Sequence, residues 1–340
     1  MPPNPPLDPS ALRPSPRIHA ASRLDSSYLA YAKSIAHADS DPQLRLAVCR
    51  QFVRSGMMGE AVAMLSTLMD VRDLRGSVAE IMGELRALRR MRTDDATFAP
   101  DTEAKDKAAK DRGYWVVPAP SDTTLIAFAG QAQMLGLSIY FMHSLLGRLN
   151  ANLIYLFDWS NSYYFGGVSG LGGDVETTVA RLRDLCAQFG SRRVLCLGQS
   201  AGGYGALHYG TKLRADGILT FSPIILPVMA EDGRARIARR IGRALTVAET
   251  DLRHAIASAA HTAHIEIVYG TENVADVASA RHLADLPNVV ERPLSGVDSH
   301  GTIQVAVASN RFVPLLEAFV RSVGPGSWGE RHQRAISDSQ

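Results

Sequence analysis

The chain predicts an α/β fold, a mostly parallel doubly wound sheet preceded by an α-helical subdomain. Three observations carry that prediction. From residue 113 onward, short apolar runs alternate with longer helix-compatible segments, the pattern of a parallel sheet covered on both faces. One run, Val194-Leu195-Cys196-Leu197, passes directly into Gly198-Gln199-Ser200-Ala201-Gly202 and then Gly203-Tyr204-Gly205-Ala206-Leu207, in the order strand, tight turn, helix. Between about residues 26 and 90 the apolar positions recur instead at helical spacing.

Composition sets the outer bounds. A length of 340 residues accommodates one large α/β domain and a smaller one. Hydrophobic content of 46% and charged content of 21% describe an ordinary globular chain. A net charge of +2 and the lack of any matching motif argue against a nucleic-acid partner. Cys49, Cys186 and Cys196 are odd in number, far apart and set in apolar stretches. They fit a reducing compartment better than a disulfide framework or a zinc site. The N-terminus lacks an apolar signal core and no run approaches 18 apolar residues. The expectation is a soluble cytoplasmic protein with no membrane span.

Residues 1–24 are rich in proline and without periodicity, and read as a flexible leader. The helical subdomain covers 25–91. Its first helix carries Leu44, Leu46, Val48 and Phe52, a turn falls at Ser55-Gly56, and the second helix carries Ala61, Met64, Leu65 and Leu68. A third spans about 77–88. Cys49, Phe52, Gly56, Ala61, Leu65 and Leu68 fall where a tetratricopeptide repeat places its packing residues, so the pair resembles one such hairpin, of roughly 34 residues. The characteristic Trp and terminal Pro are missing, and one repeat cannot stack into a solenoid. An accessory subdomain packed on the main domain is the expectation, and a surface for a protein partner is the rival. Residues 92–113 mix Asp, Lys, Ala and Thr, and read as a charged linker.

Over 114–323, strands are expected at 114–117, 123–129, 152–157, 193–197, 217–221, 265–269 and 289–294. Helices are expected at 138–149, 173–189, 201–214, 278–286 and 302–323, with an Arg-rich cap-like insertion at about 224–262. Residues 324–340 read as a flexible tail. Ligands of such a sheet bind at the carboxyl ends of its strands.

Those ends carry chemistry. The turn at Gly198–Gly202 lifts the Ser200 hydroxyl out of the sheet and aims the Ala201 N–H at a developing oxyanion. A serine needs a base, and the base an orienting carboxylate. His300 lies in the Gly/Ser/Asp-rich loop after the last strand. Asp276 and Glu272 both follow the strand before it. Asp276 is favoured as the orienter, although it could instead cap the following helix. Asp298 is too close to His300 in sequence. The second oxyanion donor is expected from the loop after strand 123–129, at the amide of Gly130 or Gln131.

With Gly198-Gln-Ser-Ala-Gly202, Phe128-Ala-Gly130, Asp276 and His300 in this order, residues 114–323 resemble the α/β-hydrolase superfamily. The resemblance implies an eight-stranded type of sheet, a Ser–His–Asp mechanism, no cofactor and ester or related acyl substrates. The chain departs from the pattern in a shortened first hairpin and in lacking a His-Gly-Gly-Gly oxyanion motif.

Two stretches bear on specificity. Trp159, Tyr163 and Tyr164, in a loop dense in hydrogen-bonding groups, would suit a polar substrate with flat faces such as a sugar, or would pack between loop and helix. Arg234, Arg236, Arg239, Arg240 and Arg243 would favour an anionic substrate, or form a solvated helix face. His143, His208, His254, His261 and His264 share no convergent motif, so no metal is assigned. The expectation is a serine esterase or deacylase acting on a small-molecule or glycan-type acyl substrate. An acyltransferase with the same residues and a binding scaffold with a degenerate hydrolase domain are the rivals.

Overall fold

In the computed structural model, residues 41–54, 58–91, 113–137, 139–259, 261 and 263–337 are described. The expected leader, and the linker apart from Gly113, lie outside these residues. Helices α1 (Pro42–Arg54), α2 (Met58–Ser66) and α3 (Arg75–Met91) come first. There follow β1 (Tyr114–Val117), β2 (Thr123–Phe128), α4 (Ile139–Leu146), β3 (Asn152–Leu156), α5 (Val175–Gln188), β4 (Arg193–Gln199), α6 (Ala201–Leu213) and β5 (Gly217–Phe221). The insertion forms α7 (Leu226–Met229), α8 (Glu231–Ile241), α9 (Val247–Thr250) and α10 (Leu252–Ala257). The chain closes with β6 (His264–Gly270), α11 (Val274–Arg281), β7 (Val289–Leu294), α12 (Thr302–Ala308), α13 (Phe312–Val323) and α14 (Trp328–Ser337).

The strands form one sheet in the order β1-β3-β2-β4-β5-β6-β7. Only β1 is antiparallel, pairing with β3. Each falls where its apolar run predicts, and the sheet has seven strands rather than the eight the family resemblance implies. Strand alternation divides the core. Leu125, Ala127, Leu195 and Leu197 face a cluster covered by α4, α12 and α13. Ile126, Phe128, Val194 and Cys196 face a second one, built with α5, α6 and the insertion helices. Both faces are thereby buried, which is why these strands read as continuous apolar runs.

The N-terminal helices belong to this packing. Phe52, Leu65 and Ile81 join Trp115 and Ile303 in the first cluster, so α1–α3 wall one face of the α/β unit. Cys49, Ala61 and Leu68 of the repeat-like pattern are buried with them, while Gly56 lies outside the described residues. A polar cleft of about 390 Å³ between these helices and the loop after β7 is lined by Arg50, Glu80, Asp298 and Gln304.

Two expectations are corrected. The single closing helix is two, bent by 108° between α12 and α13. Asn310 takes φ 58°, Asn310 N–H donates to Val307 O, and Arg311 N–H to Ala306 O. That is a Schellman stop, with asparagine in glycine's place. The expected tail contains α14, whose Trp328 is buried and donates its indole N–H to Leu213 O at 3.0 Å. One aromatic anchor outweighs a polar composition there. Among the described residues no single helix is long and apolar enough to cross a membrane.

His208 on α6 makes a test of this packing. Phe165, Tyr204 and Tyr209 surround its ring, and burial, helped by the Lys212 charge, pushes its pKa down to about 3. The folded imidazole therefore stays neutral where the unfolded one, at about 6.5, takes a proton. Stability is full above the unfolded value and falls as the pH drops toward the folded one, by about 2 kcal/mol at pH 5. His208→Met is expected to flatten the Tm–pH curve between pH 7 and 5. Coincident curves would contradict this.

Candidate active site

The turn after β4 holds Ser200 at φ 59°, ψ −124°. Few non-glycine residues adopt that conformation, and it persists only where surroundings enforce it. Two glycines make it possible. A Cβ on Gly198 would meet Gly202 O at 2.1 Å, and one on Gly202 would meet Phe128 O at 2.1 Å. The Ser200 N–H donates to Phe221 O at 3.0 Å, and its carbonyl accepts from Ile224 N–H at 3.2 Å. The residue is thus clamped to the end of β5 and the start of the insertion.

Asp276 and His300 arrive from the ends of β6 and β7. His300 Nε2 lies 2.9 Å from Ser200 Oγ, and Nδ1 lies 2.7 Å from Asp276 Oδ1. Both contacts are hydrogen bonds only if the imidazole proton sits on Nδ1, so that Nε2 can accept from the serine hydroxyl. Asp276 is 2% exposed, and among the described residues its Oδ2 has no partner. Of Asp276 and Glu272, it is Asp276 that lies within hydrogen-bond distance of His300. Glu272 is exposed and, among the described residues, its carboxylate accepts only from its neighbour Thr271, at 3.4 Å. The helix starts earlier than its composition suggests, at Val274, and Asn273 is the cap, accepting from Asp276 N–H at 3.1 Å. The Asp276 carboxylate is left to His300.

Residues that the motif reading passed over hold the His300 loop in place. Gln199 is buried and donates through Nε2 to His300 O and to Gln304 Oε1, each at 3.2 Å. Gln304 in turn donates to Gly136 O at 2.8 Å. On the other side Asn273 Nδ2 donates to Asp298 O at 3.0 Å. Gln199 occupies the variable position of Gly-x-Ser-x-Gly, and no sequence signal marks it.

Gly130 and Gln131 differ in availability. Gly130 N–H donates to Met134 O at 2.8 Å and closes its own turn, which removes it as an oxyanion donor. Among the described residues the N–H groups of Gln131 and Ala201 have no acceptor. The turn sits against the serine, since a Cβ on Gly130 would lie 3.9 Å from Ser200 Cβ.

The aromatic loop divides as well. Tyr164 is fully buried, with its hydroxyl within bonding distance of Ala129 O (2.8 Å) and Leu156 O (2.9 Å). It is a core residue, not a substrate contact. Trp159 stacks on Phe157 at 5.7 Å, packing that accounts for it without a ligand. Tyr163 is also buried, its ring against Tyr204, and it reaches toward the site only through its hydroxyl, which accepts from Gln131 Nε2 at 3.4 Å. Asn161, Tyr163 and Tyr164 all have positive φ, and buried Asp158 holds that strain by accepting from Ser160 Oγ, Ser162 Oγ and Tyr164 N–H. Among the described residues no group of three or more His, Cys, Asp or Glu is placed to hold a metal ion.

Serine, acid and histidine thus follow β4, β6 and β7 of one mostly parallel sheet, with the serine on a strained strand–helix turn. The chain has an α/β-hydrolase fold. No protein-family model and no curated protein sequence matches it. Solved structures it is similar to include a carboxylesterase from the thaumarchaeon Nitrososphaera gargenis (11% identity, 62% of this chain and 94% of that one, TM-score 0.41). An S-formylglutathione hydrolase from Agrobacterium tumefaciens aligns at 14% identity over 60% of this chain and 90% of its own, with TM-score 0.44. The capsule O-acetyltransferase of Neisseria meningitidis serogroup A has the same identity and coverage, with TM-score 0.43. The assignment of the α/β-hydrolase fold rests on strand order and the elbow, not on these likenesses.

A downfield ¹H resonance from the His300 Nδ1 proton is expected in the wild type. It should vanish in Asp276→Asn and persist in Glu272→Gln. The opposite pattern would assign the carboxylate to Glu272.

Proposed function

We propose that this protein is a serine hydrolase that cleaves an ester or related acyl bond through Ser200, His300 and Asp276. The observation carrying this reading is the 2.9 Å and 2.7 Å pair of hydrogen bonds at His300, made to a serine in a strained elbow. As Ser200 Oγ attacks the acyl carbonyl carbon, its proton passes to His300 Nε2 and Asp276 stabilises the imidazolium. The carbonyl oxygen, now an oxyanion, is held by the Ala201 and Gln131 N–H groups. Collapse breaks the bond to the leaving oxygen, which takes the proton from Nε2 and departs as an alcohol. Water then attacks the acyl-enzyme, giving its proton to Nε2 and its oxygen to the acid product, and Ser200 recovers its proton.

An alcohol entering in place of water would make the same residues an acyltransferase. With Tyr163 and Tyr164 both buried and Trp159 stacked on Phe157, neither tyrosine ring is open to stack on a sugar.

Purified protein with p-nitrophenyl acetate is expected to show a burst followed by steady turnover. Ser200→Ala should abolish both, and Asp276→Asn should lower kcat by about 10⁴, the magnitude seen when such an acid is neutralised. Glu272→Gln should leave the rate unchanged. Ser200→Ala retaining the wild-type rate would overturn the reading. Product analysis with added glycerol or a sugar separates hydrolysis from transfer: an acylated acceptor at the expense of free acid identifies a transferase.

A further inference from the structure

The five arginines of the insertion have different surroundings. Arg234 donates to Met229 O, at the end of the preceding helix α7. Arg243 donates to Ala244 O at 3.0 Å and pairs with Glu249 at 2.7 Å. Arg239 is exposed. Arg236 and Arg240, one turn apart on α8, instead face the 158–167 loop: Arg240 donates to Asn161 O, and both charges lie near enough to Tyr163 to oppose the rise that burial gives its phenol pKa. The end of α8 lies against that loop, since a Cβ on Gly166 would sit 3.4 Å from Ile241 Cγ2.

Arg240 is thus oriented by a neutral partner. Both guanidinium groups are exposed, carry five N–H donors each, and have no carboxylate partner among the described residues. The nearby acids are occupied or, like Asp232 one turn before Arg236 on α8, form no ion pair with these arginines among the described residues. Asp158 is buried under its own loop's donors, Glu249 is taken by Arg243, and Glu231 and Asp232 lie in the first turn of α8. Outward from the Gln131 N–H, the Gln131 side chain leads to buried Tyr163, and beyond that residue lie the exposed guanidinium groups of Arg236 and Arg240, which are free to donate to an anion. Carboxylates and phosphates are the ligands that guanidinium forks match.

We infer that Arg236 and Arg240 form an anion-binding subsite at the mouth of the active site, so that the preferred substrate is an ester bearing a carboxylate or phosphate beside the reacting carbonyl. This rests on the reading of Ser200 as the nucleophile. The charge could belong to the acyl part or to the alcohol part of the ester, and two pairs of substrates distinguish these. Mono-p-nitrophenyl succinate is compared with p-nitrophenyl valerate, and 4-acetoxybenzoate with phenyl acetate.

In the pair that carries the anion on the correct side, the anionic-to-neutral ratio of kcat/KM is expected to fall about tenfold in Arg236→Gln/Arg240→Gln, chiefly through KM. Arg239→Gln should not move it, and added salt should shrink it in the wild type. A ratio equal in wild type and double variant for both pairs overturns the subsite. Calorimetric binding of the same anionic esters to Ser200→Ala, which cannot cleave them by this route, separates the two claims. Binding that is lost when the arginine substitutions are added supports the subsite independently of turnover, and equal binding overturns it. A wild type that hydrolyses none of the four esters contradicts the catalytic reading of Ser200 alone.

Discussion

A single backbone conformation governs the site. At φ 59°, ψ −124°, Ser200 occupies a region that costs about 1–3 kcal/mol for a residue with a side chain. The cost is met by position: β4 is the middle strand of seven, buried on both faces, with glycines at 198 and 202 packed against backbone at distances no Cβ would survive. The tightness that forbids side chains there also keeps the serine from relaxing. The Ser200 hydroxyl is thereby presented above the sheet, with the Ala201 N–H beside it.

The parallel topology does the rest. Because β4, β5, β6 and β7 run the same way, the loops that follow them gather at one edge, and residues 24 and 100 positions apart come within hydrogen-bond distance. Fine positioning falls to neutral amides. Gln199 ties the backbone of His300 to the elbow strand, and Asn273 ties the same loop to the acid's helix. Asn273 also caps that helix, which leaves the Asp276 carboxylate to the imidazole. The N-terminal helices contribute from behind, packing through α3 on α12, the helix that begins two residues after His300.

Much of this was legible in the chain itself, for identifiable reasons. The inner strands β2, β3, β4 and β5 are buried and read as largely apolar runs, while β6 and the half-exposed β7, which carry charged residues, were marked by the turn residues that bound them. The serine turn was visible because a strained strand–helix turn demands small residues at fixed offsets, and the position of His300 because a histidine among Gly, Ser and Asp at a strand end has little packing to do. What was not legible depended on distance in space. Whether Asp276 or Glu272 faces His300 turns on where α11 begins, and Asn273 hides that start. Gly130 and Gln131 are equivalent in sequence until Met134 O claims one amide. Tyr163 and Tyr164 are adjacent, chemically alike and both buried, yet the hydroxyl of one meets Gln131 and that of the other meets core carbonyls. The break at Asn310 and the anchoring of Trp328 are local tertiary choices that composition does not express.

The central claim is that the elbow and His300 together activate Ser200, and covalent labelling reads this directly. A fluorophosphonate probe is expected to modify the native protein at one site, mapping to the peptide that contains Ser200, with labelling sharply slowed in His300→Ala and absent in Ser200→Ala. Equal labelling of native protein and Ser200→Ala, or modification at another residue, would contradict the account.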